Sequence, residues 1–306
     1  MNEATPPPNA RRAKPHRRLP PWLRRPVPTR EMLQTRRLIN GLKLHTVCVE
    51  ARCPNLTECW SRGTATFMIL GDLCTRGCRF CAVTTSRPRP PEQDEPQRLA
   101  EAAAHLNLRH VVITSVARDD LPDEGAGHFA RCIAATREKL PQATIEVLVP
   151  DFHARPELIK TVSDAGPDVY NHNVETVASQ QKRVRPAAGY QRSLDVLRIV
   201  RKLDARIKTK SGIMLGLGET TAEVIETLED LRAAECELLT IGQYLRPGEM
   251  QVAVEKYYRP EEFEELGRVA KRLGFAGVAS GPFVRSSYFA ETLLDETTCA
   301  SPPADR

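Results

Sequence analysis

From residue 65 onward, short apolar runs alternate with longer amphipathic segments. The apolar runs are rich in β-branched residues and predict six strands, at 65–71, 110–116, 144–150, 168–175, 207–215 and 238–245. The segments with helical periodicity lie at 93–106, 126–139, 155–165, 191–203, 219–234 and 260–273. Strands that alternate with helices of this length predict parallel βαβ units with right-handed crossovers. Six such repeats are fewer than a closed eight-stranded barrel needs, so the pattern predicts an α/β fold, a partial, open (β/α)6 barrel.

Cysteines are concentrated around the first predicted strand. Six of the nine cysteines in the chain fall within residues 48–81, in one group before the strand and one group after it. Ligands of parallel α/β sheets and barrels bind at the carboxyl ends of the strands. We therefore expect both groups of cysteines on the same ligand-binding face of the barrel.

The group after the strand has the spacing C-x3-C-x2-C and consists of Cys74, Cys78 and Cys81. Three thiolates within eight residues can hold one side of a [4Fe–4S] cluster, which contains four irons. One iron is then left without a local protein ligand. Such an open position can bind a small chelating molecule, as the open position of a catalytic zinc does.

The group before the strand has the spacing C-x4-C-x5-C and consists of Cys48, Cys53 and Cys59. Zinc is the main alternative for either triplet, because sites of three thiolates and one further ligand are common. Structural zinc sites usually show paired C-x2-C elements, and here C-x2-C occurs once, inside the longer array. The spacing therefore favours iron–sulfur clusters over zinc. The scattered Cys132, Cys236 and Cys299 are interpreted as thiols without a role.

Charge and proline are unevenly distributed. The chain carries 44 Lys and Arg against 39 Asp and Glu, a formal net charge of +5. Residues 1–30 contain eight of the basic residues, one acid and eight of the 24 prolines, which predicts a disordered tail. The remainder is near neutral, which argues against nucleic-acid binding. The sequence lacks an 18-residue apolar run and an apolar signal region, so we expect no membrane span and a cytoplasmic location.

The motifs carry a family resemblance. The C-x3-C-x2-C array, with Phe80 before its last cysteine and at the end of the first strand, resembles the radical S-adenosylmethionine superfamily. The upstream triplet and the sequences around it resemble the lipoyl synthase family. The matching stretches are 46–55, 58–60, 63–72, 114–121, 146–151, 171–176, 210–219 and 280–288. The resemblance covers about residues 20–290; one departure is Glu124, where we expect glycine.

The resemblance implies cofactors and ligands. It implies two [4Fe–4S] clusters and S-adenosylmethionine, which would bind the open iron of the Cys74 cluster and be cleaved to a 5′-deoxyadenosyl radical. It also implies that the upstream triplet holds an auxiliary, sulfur-donating cluster whose fourth iron is capped by Ser287, the second serine of Arg-Ser-Ser-Tyr. Apart from the cluster ligands, no catalytic residue is predicted. The predicted S-adenosylmethionine pocket comprises Phe80, Ser115, Arg118, Asn173, Glu175 and Met214.

The implied reaction is the insertion of two sulfur atoms, at C6 and C8 of an octanoyl chain. That chain is attached to a lipoyl carrier domain, such as those of 2-oxoacid dehydrogenase E2 or the glycine cleavage H protein. A ferredoxin- or flavodoxin-type protein would supply electrons. Two alternatives stay open: another radical S-adenosylmethionine enzyme with an auxiliary cluster, and a zinc-stabilised binding module whose basic tail contacts nucleic acid.

The predicted organisation has four segments. Residues 1–30 form the basic, proline-rich tail, and residues 31–64 form the auxiliary-cluster extension. Residues 65–290 form the radical S-adenosylmethionine partial barrel, and residues 291–306 form a C-terminal tail.

Overall fold

The computed structural model describes residues 19–23, 29–288 and 290–298. The ten strands are β1 (His45–Thr46), β2 (Thr66–Ile69), β3 (Leu73–Cys74), β4 (Thr84–Thr85), β5 (His110–Ser115), β6 (Thr144–Leu148), β7 (Val169–Asn171), β8 (Lys208–Leu215), β9 (Leu238–Gln243) and β10 (Gly277–Gly281). The α-helices in the described residues are α1 (Arg30–Gly41), α2 (Val47–Glu50), α3 (Leu56–Ser61), α4 (Glu95–His105), α5 (Ala126–Lys139), α6 (Pro156–Asp164), α7 (Gln181–Val184), α8 (Tyr190–Leu203), α9 (Thr221–Ala233), α10 (Pro260–Arg272) and α11 (Ala290–Thr298). Within these residues, no helix combines the length and the apolar character that a membrane crossing requires.

Eight strands form one curved, open sheet in the order β1-β2-β5-β6-β7-β8-β9-β10. The seven strands from β2 to β10 are parallel to their neighbours, and β1 pairs antiparallel with β2. The sheet does not close, because β1 and β10 lie at its two edges. The predicted partial α/β barrel is therefore confirmed. All six predicted strands and their helices are present, and β10 adds a seventh parallel strand.

The two faces of the sheet differ in character. Apolar side chains on the outer face pack under the helices, for example Ile113 of β5, Val147 of β6 and Ile241 of β9. The inner face carries polar and small residues, including Glu146 and Lys210, both fully buried. A polar interior inside an apolar wall is typical of a barrel that encloses a ligand rather than a packed core.

The segment before β2 is ordered by contacts with its own residues. Thr29 caps α1, and the Thr35 side chain donates a hydrogen bond of 2.8 Å to the carbonyl of Trp60 in α3. Trp60 is 1% exposed, so α1 and α3 pack around a buried indole. Most of the predicted 1–30 tail, namely residues 1–18 and 24–28, lies outside the described residues, as do Cys299 and the chain beyond it. The predicted C-terminal tail begins within α11.

Glu124 occupies a backbone conformation that favours glycine. Its φ is +49°, in the left-handed region. Its carboxylate accepts a hydrogen bond of 2.7 Å from the His153 ring and lies 3.1 Å from Arg155. The side chain of Glu124 therefore has a hydrogen-bonding partner and a cationic partner that offset the strain, and the loop keeps the glycine-type turn.

Candidate active site

The Cys74 triplet lies on a short loop at the carboxyl end of β2. Cys74 is the last residue of β3, and pairing of β3 with β4 closes the loop that carries Cys78 and Cys81. The backbone N–H of Thr75 donates a hydrogen bond of 3.1 Å to the carbonyl of Ala117, just beyond β5. The loop is therefore anchored where parallel barrels bind their ligands.

The three thiols of this loop lie within electrostatic range of one another. Burial, together with a smaller contribution from the neighbouring thiols, raises the pKa of Cys81 to about 12. Burial also raises the pKa of Cys78, although the positive charge of Arg185 partly opposes that shift. Three mutually repelling thiolates are unfavourable in a buried site, and bound iron supplies the positive charge that stabilises them. The arrangement fits a cluster and not three independent thiols.

Arg76, inside the same loop, is a structural anchor that the sequence analysis missed. Its side chain is 7% exposed and forms ion pairs with Asp119 at 2.6 Å and Asp151 at 2.7 Å. Burial alone would raise the pKa of Asp151, but the Arg76 charge outweighs it and lowers that pKa to about 2. Arg76 thus fastens the cysteine loop to the ends of β5 and β6. Arginine within a metal-binding loop is a weak sequence signal, because most arginines are solvated.

Four of the six predicted pocket residues lie beside this loop. Phe80 and Met214 pack in one apolar cluster, which includes the buried Tyr244. The Asn173 amide donates a hydrogen bond of 3.1 Å to Glu175. The charge of Glu175 contributes to the raised pKa of both Cys78 and Cys81, which places it near the thiols.

The other two predicted pocket residues are placed differently. Ser115 follows the alternation of β5, on the face of Ile113 that packs under the helices. The Arg118 side chain is 1% exposed; it donates to Asp120 at 2.8 and 2.9 Å and to the Leu70 carbonyl at 3.3 Å. Among the described residues, neither side chain forms a hydrogen bond with the cysteine loop. Arg118 therefore joins its own loop after β5 to the carboxyl end of β2, and its role in cofactor binding stays a prediction.

The Cys48 triplet lines a cavity of about 160 Å³. The cavity wall includes Cys48, Cys53, Cys59 and Ser287, which is more than 200 residues away along the chain. Burial, together with a smaller contribution from the neighbouring Cys53, raises the pKa of the Cys48 thiol to about 11. Three thiols and one hydroxyl around one cavity are a donor set for a metal cluster.

The expectation that both cysteine triplets lie on the same face of the barrel is wrong. The cavity of the Cys48 triplet is also lined by Thr66, the first residue of β2, and His110, the first residue of β5. It therefore lies at the amino ends of these strands, whereas the Cys74 loop lies at their carboxyl ends. The reason is chain continuity: a segment that precedes a strand reaches its amino end, and a segment that follows reaches its carboxyl end. The barrel interior separates the two sites.

Hydrogen bonds hold the C-terminal segment against this cavity. The Thr66 hydroxyl donates to the Ser287 hydroxyl at 2.7 Å, and the Tyr288 hydroxyl donates to Glu58 at 3.0 Å. The Asn55 amide donates to the backbone carbonyl of Phe283 at 2.7 Å. These contacts join α3 and β2 to the Arg-Ser-Ser-Tyr motif. The motif resemblance predicted only the place of Ser287 at the cluster and none of these hydrogen bonds.

A buried charge cluster, also missed by the sequence analysis, lies inside the barrel beside the same cavity. Lys210 donates to both oxygens of Glu146 at 2.9 Å, and Asn171 and His110 lie 2.9 and 3.2 Å from the same carboxylate. Burial alone would raise the pKa of Glu146, but the Lys210 charge lowers it to about 2. Glu146 is therefore ionised inside the barrel.

Comparisons with known proteins match both cysteine regions. The radical SAM superfamily matches residues 68–231, and the N-terminal domain of lipoyl synthase of the radical SAM family matches residues 6–53. The chain is 54% identical to the lipoyl synthase of Caldanaerobacter subterraneus subsp. tengcongensis over 277 residues, which cover 90% of this chain and 97% of that relative. The chain belongs to the lipoyl synthase family. It is also 53% identical to the lipoyl synthase of Symbiobacterium thermophilum, over 90% of this chain and 86% of that protein.

Solved structures agree on the fold at low sequence identity. Methylornithine synthase has a TM-score of 0.54 at 13% identity, with 78% of this chain and 73% of that chain covered. HydG, a maturase of the [FeFe]-hydrogenase, has a TM-score of 0.55 at 13% identity, with 69% of this chain and 49% of that chain covered. These similarities support the radical SAM fold.

Membership of the lipoyl synthase family makes the chain a radical SAM enzyme, with S-adenosylmethionine and [4Fe–4S] clusters as its cofactors. The residues present fit these groups. One triplet offers three half-buried thiols on a loop at the carboxyl end of the strands, and the other offers three thiols with a hydroxyl in one cavity. The predicted family and cofactors are therefore confirmed. The assignment of individual ligands stays a prediction.

Proposed function

We propose that this enzyme inserts sulfur at C6 and C8 of an octanoyl chain bound to a carrier protein, which converts it to a lipoyl group. The observation that carries the proposal is the cavity at the amino end of the strands. It joins Cys48, Cys53 and Cys59 to Ser287, so a second cluster would have a complete set of ligands from this chain. A second, separate cluster is what a reaction that consumes sulfur requires.

The two triplets take different roles in this proposal. Cys74, Cys78 and Cys81 would hold the cluster that leaves one iron open for S-adenosylmethionine. When bound, the cofactors supply a hydrogen-abstracting radical and the inserted sulfur. Such chemistry is needed because side-chain acids and bases cannot remove a hydrogen from an unactivated carbon.

The protein's own residues orient and shield these groups. Arg185 lies near Cys78 and, with the buried Arg76, would offset the negative charge of a thiolate-bound cluster. Asn173 and Glu175 present polar groups toward the loop, while Phe80 and Met214 present apolar surface. The pocket would thus bind a charged, amphipathic cofactor and exclude water around it.

A serine ligand suits a cluster that comes apart. An alkoxide is a harder ligand than a thiolate, and we propose that it is more easily displaced from iron. Thr66 donates to the Ser287 hydroxyl at 2.7 Å, so the oxygen keeps its orientation toward the cavity. Residues 31–64 would then act as an auxiliary-cluster unit, residues 65–290 as the catalytic barrel, and residues 1–30 and 291–306 as flanking segments.

The proposed substrates are octanoylated lipoyl carrier domains, with 2-oxoacid dehydrogenase E2 and the glycine cleavage H protein as candidates. The proposed electron donor is a ferredoxin- or flavodoxin-type protein. We also propose a cytoplasmic location, supported by the clustered thiols, which a reducing compartment preserves. The carrier, the donor and the location rest on family membership and not on a contact in this chain.

The test is anaerobic reconstitution followed by mass spectrometry of an octanoylated carrier peptide with S-adenosylmethionine and a reductant. The expected product gains two sulfur atoms. The Cys59→Ala variant is expected to lose sulfur insertion but to keep cleavage of S-adenosylmethionine. Cys236→Ala removes a buried cysteine outside both triplets and is expected to behave as the parent enzyme. Cofactor cleavage with an unchanged peptide in the parent enzyme would favour another radical SAM enzyme.

A further inference from the structure

The C-terminal segment enters the barrel instead of lying over it. A Cβ atom on Gly242 of β9 would meet the backbone oxygen of Val284 at 2.1 Å, and one on Gly212 of β8 would meet the Ser286 hydroxyl at 3.2 Å. Two strand glycines therefore make room for the segment's close approach. The next residue along it, Ser287, lines the Cys48 cavity.

Asn173 is bonded to this segment inside the barrel. Its amide nitrogen donates to the Ser286 hydroxyl at 2.6 Å and to Glu175 at 3.1 Å. The side chain is 7% exposed and packs against Gly212, where a Cβ would approach its oxygen to 2.9 Å. Because Glu175 can accept but not donate when ionised, the nitrogen of the amide must face the carboxylate. One buried amide thus contacts both the segment and the carboxylate.

Hydrogen bonds connect Asn173 to the other cysteine site. The backbone N–H of Arg79, in the Cys74 loop, donates to the Val184 carbonyl at 2.8 Å. The adjacent Arg185 side chain donates to the Asn173 carbonyl at 3.2 Å. A continuous set of contacts therefore runs from the Cys74 loop to the serine that precedes Ser287.

We propose that Asn173 is a positioning residue that joins the two cluster sites, because it holds Ser286 beside the Glu175 carboxylate and thereby fixes the neighbouring Ser287 at the Cys48 cavity. This inference rests on the proposed function, in which Ser287 caps the auxiliary cluster. It assigns Asn173 a role beyond cofactor binding: it keeps the hydroxyl of the next residue at the cavity. Loss of the Asn173–Ser286 bond would then loosen a ligand of a cluster at the opposite end of the barrel.

The experiment compares Asn173→Ala, Ser286→Ala and the double variant in the anaerobically reconstituted enzyme with saturating S-adenosylmethionine. Ferricyanide oxidation that removes a weakly held iron converts [4Fe–4S] to [3Fe–4S], which is followed by its electron paramagnetic resonance signal. Each single variant is expected to form this signal about fivefold faster than the parent, the effect of one lost hydrogen bond. The double variant is expected to match the single variants, because both remove the same bond.

Three controls separate the possible failures. Asn40→Ala changes an exposed asparagine on α1 and is expected to match the parent, and Ser287→Ala is expected to show the fastest loss. Equilibrium dialysis of S-adenosylmethionine checks that the Cys74 site stays occupied. Among the test variants, Ser286→Ala removes the bond without altering a predicted pocket residue. Parent-like rates in both single variants, or independent effects in the double variant, would overturn the role of Asn173. A parent enzyme with one cluster or with zinc would overturn the proposed function instead.

Discussion

Removing either partner of the Glu146–Lys210 pair should be among the most destabilising single changes in the barrel. Both side chains are essentially unexposed, and Lys210 lies 2.9 Å from both carboxylate oxygens. Glu146→Gln leaves the Lys210 ammonium buried without its counter-charge, and Lys210→Met leaves the carboxylate with His110 and Asn171. Breaking a buried pair in this way costs about 3–5 kcal/mol.

The pKa of Glu146 gives a second estimate of the free energy of unfolding that is lost. The pKa falls from an ordinary value of 4.5 to about 2. Each pKa unit corresponds to about 1.4 kcal/mol, so ionisation of Glu146 beside Lys210 and His110 contributes about 3 kcal/mol. Because the pKa is lowered in the folded state, this stability is fully present above pH 4.5. It is lost as the pH falls from there through about 2. The two values agree.

The assay is urea unfolding at neutral pH of each anaerobically loaded variant, with the cluster-free protein measured in parallel. Each single variant is expected to lose about 3 kcal/mol of unfolding free energy, and Glu146→Gln/Lys210→Met is expected to recover most of it. The matched control is Lys208→Met on the same strand, whose half-exposed pair with Glu237 should contribute about 0.5 kcal/mol. Losses below about 1 kcal/mol in the single variants, or additive losses in the double variant, would refute the reasoning.

Three further changes test the geometry of the two sites. Gly242→Ala places a methyl group on a backbone oxygen of the C-terminal segment, so it should reduce the iron and sulfide content of the purified protein to one cluster. In the control Gly41→Ala, the methyl group meets nothing within 4 Å, so the protein should keep both clusters. Arg76→Gln should lower the unfolding free energy by about 2 kcal/mol in urea unfolding, because its two carboxylate partners lose a buried cation; an unchanged midpoint would contradict this. Thr66→Val removes the bond to Ser287 and should speed iron loss about fivefold on ferricyanide oxidation; a parent-like rate would show that the bond does not hold the serine.

The elements that sequence patterning predicts well are those whose residues face a core. Ile113, Val147 and Ile241 alternate with inward-facing residues, so their strands stand out in the sequence. Strand β10 does not stand out in the sequence, because Gly277–Gly281 contains mainly small residues and pairs with β9 only in the folded barrel. Its strand conformation depends on that tertiary pairing, which local propensity does not encode.

The cysteine spacing predicts that two sites exist, but it does not predict where they lie. The distance between the sites follows from the direction of β2, which carries the chain from the Cys48 cavity at its amino end to the Cys74 loop at its carboxyl end. The cysteine count and the spacing are the same whether or not the two sites share a face of the barrel. The direction in which the chain passes through β2 determines that they lie at opposite ends.

Two strand glycines indicate where the proposed fourth ligand of the Cys48 cluster comes from, which the cysteine spacing does not. Gly212 and Gly242 weaken β8 and β9 as isolated strands, because glycine has the largest entropy to lose on folding. In the barrel they face the returning segment, where a methyl group would come within 3.2 Å of Ser286 or 2.1 Å of Val284. A glycine on the inner face of a barrel strand thus indicates that another part of the chain packs closely there: the Val284 backbone at Gly242, and side chains that include Ser286 at Gly212. In this chain that part ends at Ser287, so the glycines and the serine form one feature although 45 or more residues separate them.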